Sequence, residues 1–539
     1  MFNFDTDVCF GTAGVRGLIG KDINIPIVKR ITQGLSNYIK KQNITQPKVV
    51  IGYDCRRMSK EFAEAVALIL NANGIATYSF NKVTPAPMIS FAVRALMCIS
   101  GIMITASHNS KEYNGYKIYW QDGGQIISPI DKEIEYEINK IKDSSMILTT
   151  HKQWSIDNNL YYLLNDKIDE IYVNELCKSI IQPEIIKEMQ EEIKIVYTPL
   201  HGTGAELIDK TLSHLGIMNL FFVEQQLNPN GKFPTIPNPN PEDPKAFILG
   251  LQLAKKVKAD IIIANDPDAD RIGLYVKHKN DYIRFTGDMI GALLLEYQLS
   301  IKQELKILPK NGIIIKSIVC SNLIDEIAKA YNTSVKEVLI GFKYISEQIK
   351  IYEQEKIHSF LFGYEESFGY LTGTTVRDKD GILAAALICE ALAYYKKQSK
   401  SLYDQYLHIC NKYGYYQEDS FSIMLNDASP ILKKQLINEK KIVEELNKIN
   451  KYNIHFIRDL SNGTEHNYLL NNETTINLPK TQGLYCDLGD KWFCFRFSGT
   501  EPKIKIYLGV KGQSIQDAEN KVNSFKKDLQ EIIVNIEEV

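Results

Sequence analysis

Short apolar runs closed by glycine or a polar loop alternate along this chain with stretches of helical period. The run Lys48-Val-Val-Ile-Gly-Tyr-Asp54 predicts a strand. A helix is predicted over 59–73, with Phe62, Val66, Ile69 and Leu70 on one face and Gly74 as its stop. The next strand follows over 75–80. The same order returns as strand 193–197, a glycine loop at 201–204, helix 206–215 and strand 219–223. It returns again as strand 312–317, helix 322–331 and strand 335–340. Strand–helix–strand units in series imply parallel sheets with helices on both faces. The tail lacks this unit, with a strand predicted over 504–510 and an amphipathic helix over 515–533. The expected fold is therefore α/β: three related α/β domains with mixed or parallel sheets, and a smaller α+β C-terminal domain. The expected spans are 1–185, 186–305, 306–420 and 421–539. The charged stretch 131–180 reads as helical decoration and the crossing into the second domain.

Composition narrows the classes of function. The 539 residues are 44% apolar and 24% charged, as in a soluble protein with real cores. A net charge of -2 gives no global field to recruit nucleic acid or a membrane surface. Nine cysteines without a C-x-x-C pair argue against a disulfide scaffold and for a reducing compartment. The segment Met1-Phe-Asn-Phe-Asp5 lacks a signal-peptide pattern, and the apolar run 382–392 is broken by Glu390. A cytoplasmic protein with small-molecule partners is expected, as a monomer or homodimer, with neither nucleic acid nor membrane as partner.

Chemistry concentrates in a few polar loops that follow apolar runs. The run 99–104 leads into Thr105-Ala-Ser-His-Asn-Ser110, with Lys117 ten positions beyond Ser107. A hydroxyl beside an imidazole and near an ammonium can act as a nucleophile or carry a phosphoryl group. It is not a hydrolase elbow, because Thr105 and Asn109 stand where that motif needs glycine. The run 259–265 leads into Asp266-Pro-Asp268-Ala-Asp270-Arg271, three carboxylates at alternate positions. Such charges repel unless a cation joins them. A calcium loop would need Gly and Glu where Arg271 and Lys277 stand, so Mg²⁺ fits better. Earlier, Phe10-Gly-Thr-Ala-Gly-Val-Arg16-Gly17 offers tight turns and a bidentate donor for phosphate. In Gly363-Tyr-Glu365-Glu-Ser367-Phe-Gly369, Glu365 can accept two sugar hydroxyls and Ser367 can donate and accept. Gly341-Phe-Lys343 and Arg377-Asp-Lys379 offer cations for a phosphate nearby. Finally, Arg496-Phe-Ser498-Gly499-Thr500 reads as an anion cradle of side chains and backbone N–H groups. Asn230-Gly231-Lys232-Phe233 is not a nucleotide P-loop, since Gln226 replaces the required glycine.

Four motifs in order, TASHNS, DPDADR, GYEESFGY and RFSGTEPK, with FGTAGVRG and Asn114-Gly-Tyr-Lys117, resemble the active-site loops of the α-D-phosphohexomutase superfamily. The resemblance covers nearly the whole chain except 131–180 and 426–481. It implies three related α/β domains, a smaller fourth one and a cleft among them. It also implies that Ser107 is the phosphoserine, that Asp266, Asp268 and Asp270 hold Mg²⁺ with a phosphoserine oxygen, and that Glu365 and Ser367 grip the sugar. Arg496, Ser498, Gly499 and Thr500 would hold the phosphate that is not reacting. Arg16, His108, Lys117 and Arg271 would surround the transferring group, with Lys117 or His108 moving the proton. The Glu-Glu-Ser loop resembles the glucose-type branch. That implies interconversion of glucose 1-phosphate and glucose 6-phosphate through glucose 1,6-bisphosphate. Gly369 stands where mannose- and glucosamine-type loops carry His, and the run 374–381 also resembles pentose-type members, so mannose and pentose phosphates stay open. A non-catalytic sugar-phosphate-binding protein on this fold would be expected to have lost Ser107 or an aspartate.

Overall fold

The structure is a computed structural model describing residues 7–11, 14–424, 436, 438–449, 451–497 and 503–537. Two compact units divide the chain. One runs to Ile315 and takes Gly341–Gln405; the other takes Lys316–Ile340 and the chain from Tyr406.

In the first unit a six-stranded sheet is built on Lys48–Tyr53, which lies parallel between Ala76–Phe80 and Ser100–Ile104. Helix Ser59–Ala72 joins the first two of these strands, and Ala86–Ala95 leads into the third. Tyr113–Trp120 then pairs antiparallel with Ser100–Ile104. The connecting loop 105–112 is too short for the helical crossover that a parallel return needs. Val15–Leu18 adds a further antiparallel edge. Val49, Ile51, Phe62, Val66, Leu35 and Ile138 share one buried core beneath this sheet.

The stretch 131–180 is not purely helical. Between its helices, Tyr161–Leu164 pairs parallel with Ala76–Phe80 and closes the sheet's other edge. Tyr162 stacks on Tyr78 with ring centroids 5.0 Å apart. Four residues flanked by Asn and Lys show too little period to read as a strand alone; the pairing partner supplies the order.

A five-stranded sheet in the same unit repeats the logic. Ile195–Thr198 runs parallel to Leu220–Phe222 and Ile261–Asn265. Ile272–His278 returns antiparallel across the short loop 266–271. Ser359–Glu365 and Gly369–Leu371 form a tight hairpin. Each chemically loaded loop of this unit thus sits where a strand ends and doubles back.

In the second unit a seven-stranded antiparallel sheet starts with Tyr415–Met424, which pairs along its whole length with Lys503–Gly512. Lys491–Phe497 pairs with Lys503–Gly512 on its other side. Helix Ile515–Glu537 packs on this sheet and buries Phe525, Leu529 and Ile532. The predicted strand and helix of the tail are both present. Within 426–481 lie helix Glu439–Ile449 and strands Phe456–Asp459, Thr464–Asn467 and Asn472–Thr475. Among the described residues no helix is long and apolar enough to cross a membrane.

Candidate functional site

Ser107 lies at the carboxyl end of Ser100–Ile104, is 1% exposed, and has a φ of +51°. That left-handed backbone is uncommon for a residue with a side chain and turns Oγ out of the sheet's line. Ser107 Oγ donates to Asp266 Oδ2 at 2.6 Å and lies 3.2 Å from His108 Nδ1. Burial, then the guanidinium groups of Arg271 and Arg16, hold the His108 ring well below the usual imidazole range. Arg16 Nη1 reaches Asn109 Oδ1 of the same loop at 3.1 Å.

The acidic loop comes from Ile261–Asn265. Ala269 also takes a left-handed φ, +52°, between Asp268 and Asp270. One oxygen from each of Asp266, Asp268 and Asp270 lies within 4.8 Å of the others, and all three residues are buried. Lys117 Nζ donates to Asp268 Oδ2 at 2.7 Å and Asp270 Oδ2 at 2.9 Å. Lys379 Nζ reaches Asp270 Oδ2 at 3.0 Å. Burial and the two neighbouring aspartates push Asp266 well above the usual carboxylate range. Asp270 moves the other way: burial opposes ionisation, but Lys117, Lys379 and Arg271 together hold it far below that range. Asp268 Oδ1 and Asp270 Oδ1 are buried without a hydrogen-bond partner. A buried carboxylate oxygen with no donor is costly. An oxygen-only donor set with two such oxygens fits a hard divalent cation such as Mg²⁺.

The hairpin Ser359–Leu371 brings Glu365 to its tip, where Oε1 accepts the N–H of Gly341 at 2.8 Å. Burial raises the Glu365 carboxyl to about 7, although Lys379 and Arg271 pull it down. Ser367 is half-buried in the turn. Gly369 has a physical role, because a Cβ there would meet Lys379 Cδ at 2.4 Å. The bare backbone leaves room for the Lys379 stem. Two expected cations have acidic neighbours of their own. Lys343 Nζ stands 4.0 Å from Asp131 Oδ2, and buried Arg377 is bonded to Glu353 and to the carbonyl of Thr374. Arg271 Nη1 is held at 3.0 Å by Glu242 Oε1. In the second unit Arg496 sits in strand Lys491–Phe497; Ser498, Gly499 and Thr500 lie outside the described residues.

Within the first unit the fold thus gathers Arg16, Ser107, His108, Lys117, the three aspartates, Arg271, Lys379, Glu365 and Gly341 around one polar centre. Sequence reasoning missed the supports of this centre. Asp54, Arg56 and Thr105 form a buried network under the serine loop. Tyr119 and Gln125 both donate to Asp378 Oδ2, beside Lys379. The signal for the first group was present: Asp54 and Arg56 follow directly on a buried strand, where α/β folds place their chemistry.

Comparison with known proteins adds the lineage. Three family descriptions match in order: Phosphoglucomutase/phosphomannomutase, alpha/beta/alpha domain I over 7–145, domain II over 170–279 and domain III over 286–413. A phosphoglucomutase of Staphylococcus haemolyticus is 34% identical over 534 residues, covering 97% of this chain and 94% of that one. One from Staphylococcus aureus (strain USA300) is 33% identical over 536 residues, covering 97% and 93%. In fold alone, the chain is similar to the open form of parafusin, a phosphoglucomutase of Paramecium, with a TM-score of 0.73, 17% identity and coverage of 98% and 95%. It is also similar to an Aspergillus fumigatus N-acetylphosphoglucosamine mutase solved with glucose 1,6-bisphosphate, with a TM-score of 0.54, 11% identity and coverage of 98% and 95%. With near-complete coverage at about one-third identity and all three domain descriptions in register, this chain belongs to the phosphoglucomutase/phosphomannomutase family.

Proposed function

We propose that this enzyme is a phosphoglucomutase that interconverts glucose 1-phosphate and glucose 6-phosphate, with Ser107 as the phosphoryl carrier and glucose 1,6-bisphosphate as the intermediate. The observation that carries the reading is the 2.6 Å contact of Ser107 Oγ with Asp266, inside a buried cluster of three carboxylates with unpartnered oxygens. Asp266, Asp268 and Asp270 would hold Mg²⁺. The bound ion would supply charge neutralisation at the phosphoryl group.

The chain's own residues do the rest. In the forward step a sugar hydroxyl attacks the phosphorus of phosphoserine in line. The bond from phosphorus to Ser107 Oγ breaks, the proton of the sugar hydroxyl passes to a base, and the released Ser107 Oγ takes up a proton to become the free hydroxyl. His108 is placed for proton transfer by its 3.2 Å approach to Ser107 Oγ. Lys117, whose ammonium already bridges Asp268 and Asp270, is assigned a neutralising role instead. Arg16 and Arg271 offer guanidinium donors to the moving phosphoryl group. Glu365 and Ser367 read the sugar hydroxyls, and Gly341 holds Glu365 in place. Lys343 remains a candidate for the phosphate side of the substrate. The segment from Arg496 through Ser498, Gly499 and Thr500 is assigned to the non-reacting phosphate. The chemistry suits the cytoplasm, in a monomer or homodimer.

The test is turnover on the 1-phosphates of glucose, mannose, ribose and glucosamine, measured with added glucose 1,6-bisphosphate. The expected result is the highest kcat/KM on glucose 1-phosphate. A clear preference for another sugar would overturn the glucose assignment.

A further inference from the structure

The serine loop needs an explanation for its own shape. Ser107 holds an unfavourable left-handed backbone at the end of a strand, in a buried segment whose backbone carbonyls need donors. Beneath it lies Arg56, 3% exposed, at the end of Lys48–Tyr53. Arg56 Nη2 donates to the carbonyls of Ser107 and Asn109, each at 2.5 Å. Arg56 Nη1 donates to those of Ser110 at 2.7 Å and Tyr113 at 3.1 Å. Its Nε lies 3.2 Å from Asp54 Oδ2. Asp54 accepts from Thr105 Oγ1 at 2.6 Å, and Thr105 Oγ1 accepts the N–H of Ser107 at 2.8 Å. From the other side the Phe233 ring lies 5.1 Å from the Arg56 guanidinium carbon. Gly231 brings its backbone so close that a Cβ would meet Arg56 Cα at 2.8 Å.

We propose that Arg56, oriented by Asp54 and completed by Thr105, is the positioning residue that fixes the Ser107 loop for phosphoryl transfer. This rests on Ser107 being the phosphate carrier. Its terminal N–H groups are committed to three loop carbonyls and to that of Tyr113, where the next strand begins, so it acts through the loop and not on substrate. The planar fork is what the role needs. A lysine keeps the charge but offers three donors from one point and cannot bridge carbonyls spread from Ser107 to Tyr113.

Arg56→Lys separates positioning from charge. Folding is checked by thermal melting. Kinetics are measured with saturating glucose 1,6-bisphosphate, and Ser107 phosphate is quantified by mass spectrometry on digests. The expected result is a fall in kcat of about a hundredfold with KM within about threefold, and slowed loading of Ser107. Thr105→Val, which keeps the shape and removes the acceptor of the Ser107 N–H, should lower kcat about tenfold with the same KM pattern. Should the lysine variant not fold, the valine variant decides. An unchanged kcat, or a rise in KM alone, in the folded variant would overturn the proposal. Wild-type enzyme that turns over with no phosphate on Ser107 would instead remove the carrier reading, and this proposal with it.

Discussion

At the residue scale, the centre is built on carboxylate oxygens left without a hydrogen bond. Asp268 Oδ1 and Asp270 Oδ1 are buried with none, the latter 3.9 Å from Arg271 Nε, while their Oδ2 atoms take Lys117 and Lys379. Removing one negative charge should therefore weaken metal and rate together. Asp268→Asn is expected to raise the Mg²⁺ concentration for half-maximal rate and to lower kcat by roughly two orders of magnitude. A Mg²⁺ titration after chelator treatment checks both, and activity indifferent to chelator would contradict the metal assignment. Gly369 offers a second test. A methyl group there overlaps the Lys379 stem at 2.4 Å, so Gly369→Ala should displace that ammonium from Asp270. A fall in kcat of about tenfold is expected, with melting little changed because the turn keeps its hairpin. Wild-type kcat in this variant would show that Lys379 needs no such clearance.

At the element scale, the strands and helices that carry the centre are legible in the sequence. Strand 312–317 matches the observed Gly312–Ser317, and helix 59–73 the observed Ser59–Ala72, because buried runs and amphipathic faces carry strong periods. The three aspartates were legible for a chemical reason: like charges at alternate positions need a cation. Three things were not legible. Tyr161–Leu164 becomes a strand only through its neighbour. Lys343 and Arg377 carry the expected charge, but sequence does not say that Asp131 and Glu353 are their acidic neighbours. The place of Arg56 after a buried strand is visible in the sequence, but what it holds is not, because its partners are backbone carbonyls, which leave no mark in the amino-acid pattern. The loop Asn230–Phe233, dismissed as a nucleotide motif, proves to pack on Arg56. A Cβ on Gly231 would lie 2.4 Å from the carbonyl oxygen of Cys55, a backbone atom that yields little. Gly231→Ala is accordingly expected to cost about 1–3 kcal/mol of stability and to lower kcat. Chemical denaturation and steady-state kinetics check the pair of effects; an unperturbed variant would mean that this loop stands off from the serine loop's support.

At the scale of the whole molecule, helix Gly381–Lys397 is buried almost throughout and carries Glu390 in its middle, 0% exposed. Burial raises this carboxyl to about 7, although the N–H groups of Gln182 and Ile181, the Tyr297 hydroxyl and Lys302 favour the charged form. Its folded pKa lies above the unfolded value, so the folded state holds the proton more tightly. The stabilisation is complete below about pH 4 and is lost as pH rises to about 7. Asp380, raised to about 6 by burial, adds to the same slope. Glu390→Gln keeps an acceptor and removes the titration. Between pH 5 and 8 its unfolding free energy should fall less than that of the wild type, by on the order of 3 kcal/mol. Urea melts across that range decide, and parallel profiles would contradict the assignment.

The proposed function requires Ser107 to carry phosphate between the two ends of one sugar. The most direct measurement is mass spectrometry of the enzyme after incubation with glucose 1,6-bisphosphate and Mg²⁺, with the phosphate located by peptide fragmentation and Ser107→Ala run beside it. One labile phosphate is expected, on Ser107 in the wild type and absent from the alanine variant, whose mutase activity should fall by about a thousandfold or more. A wild type that turns over without phosphate on Ser107, or an alanine variant with wild-type turnover, would contradict the proposed function.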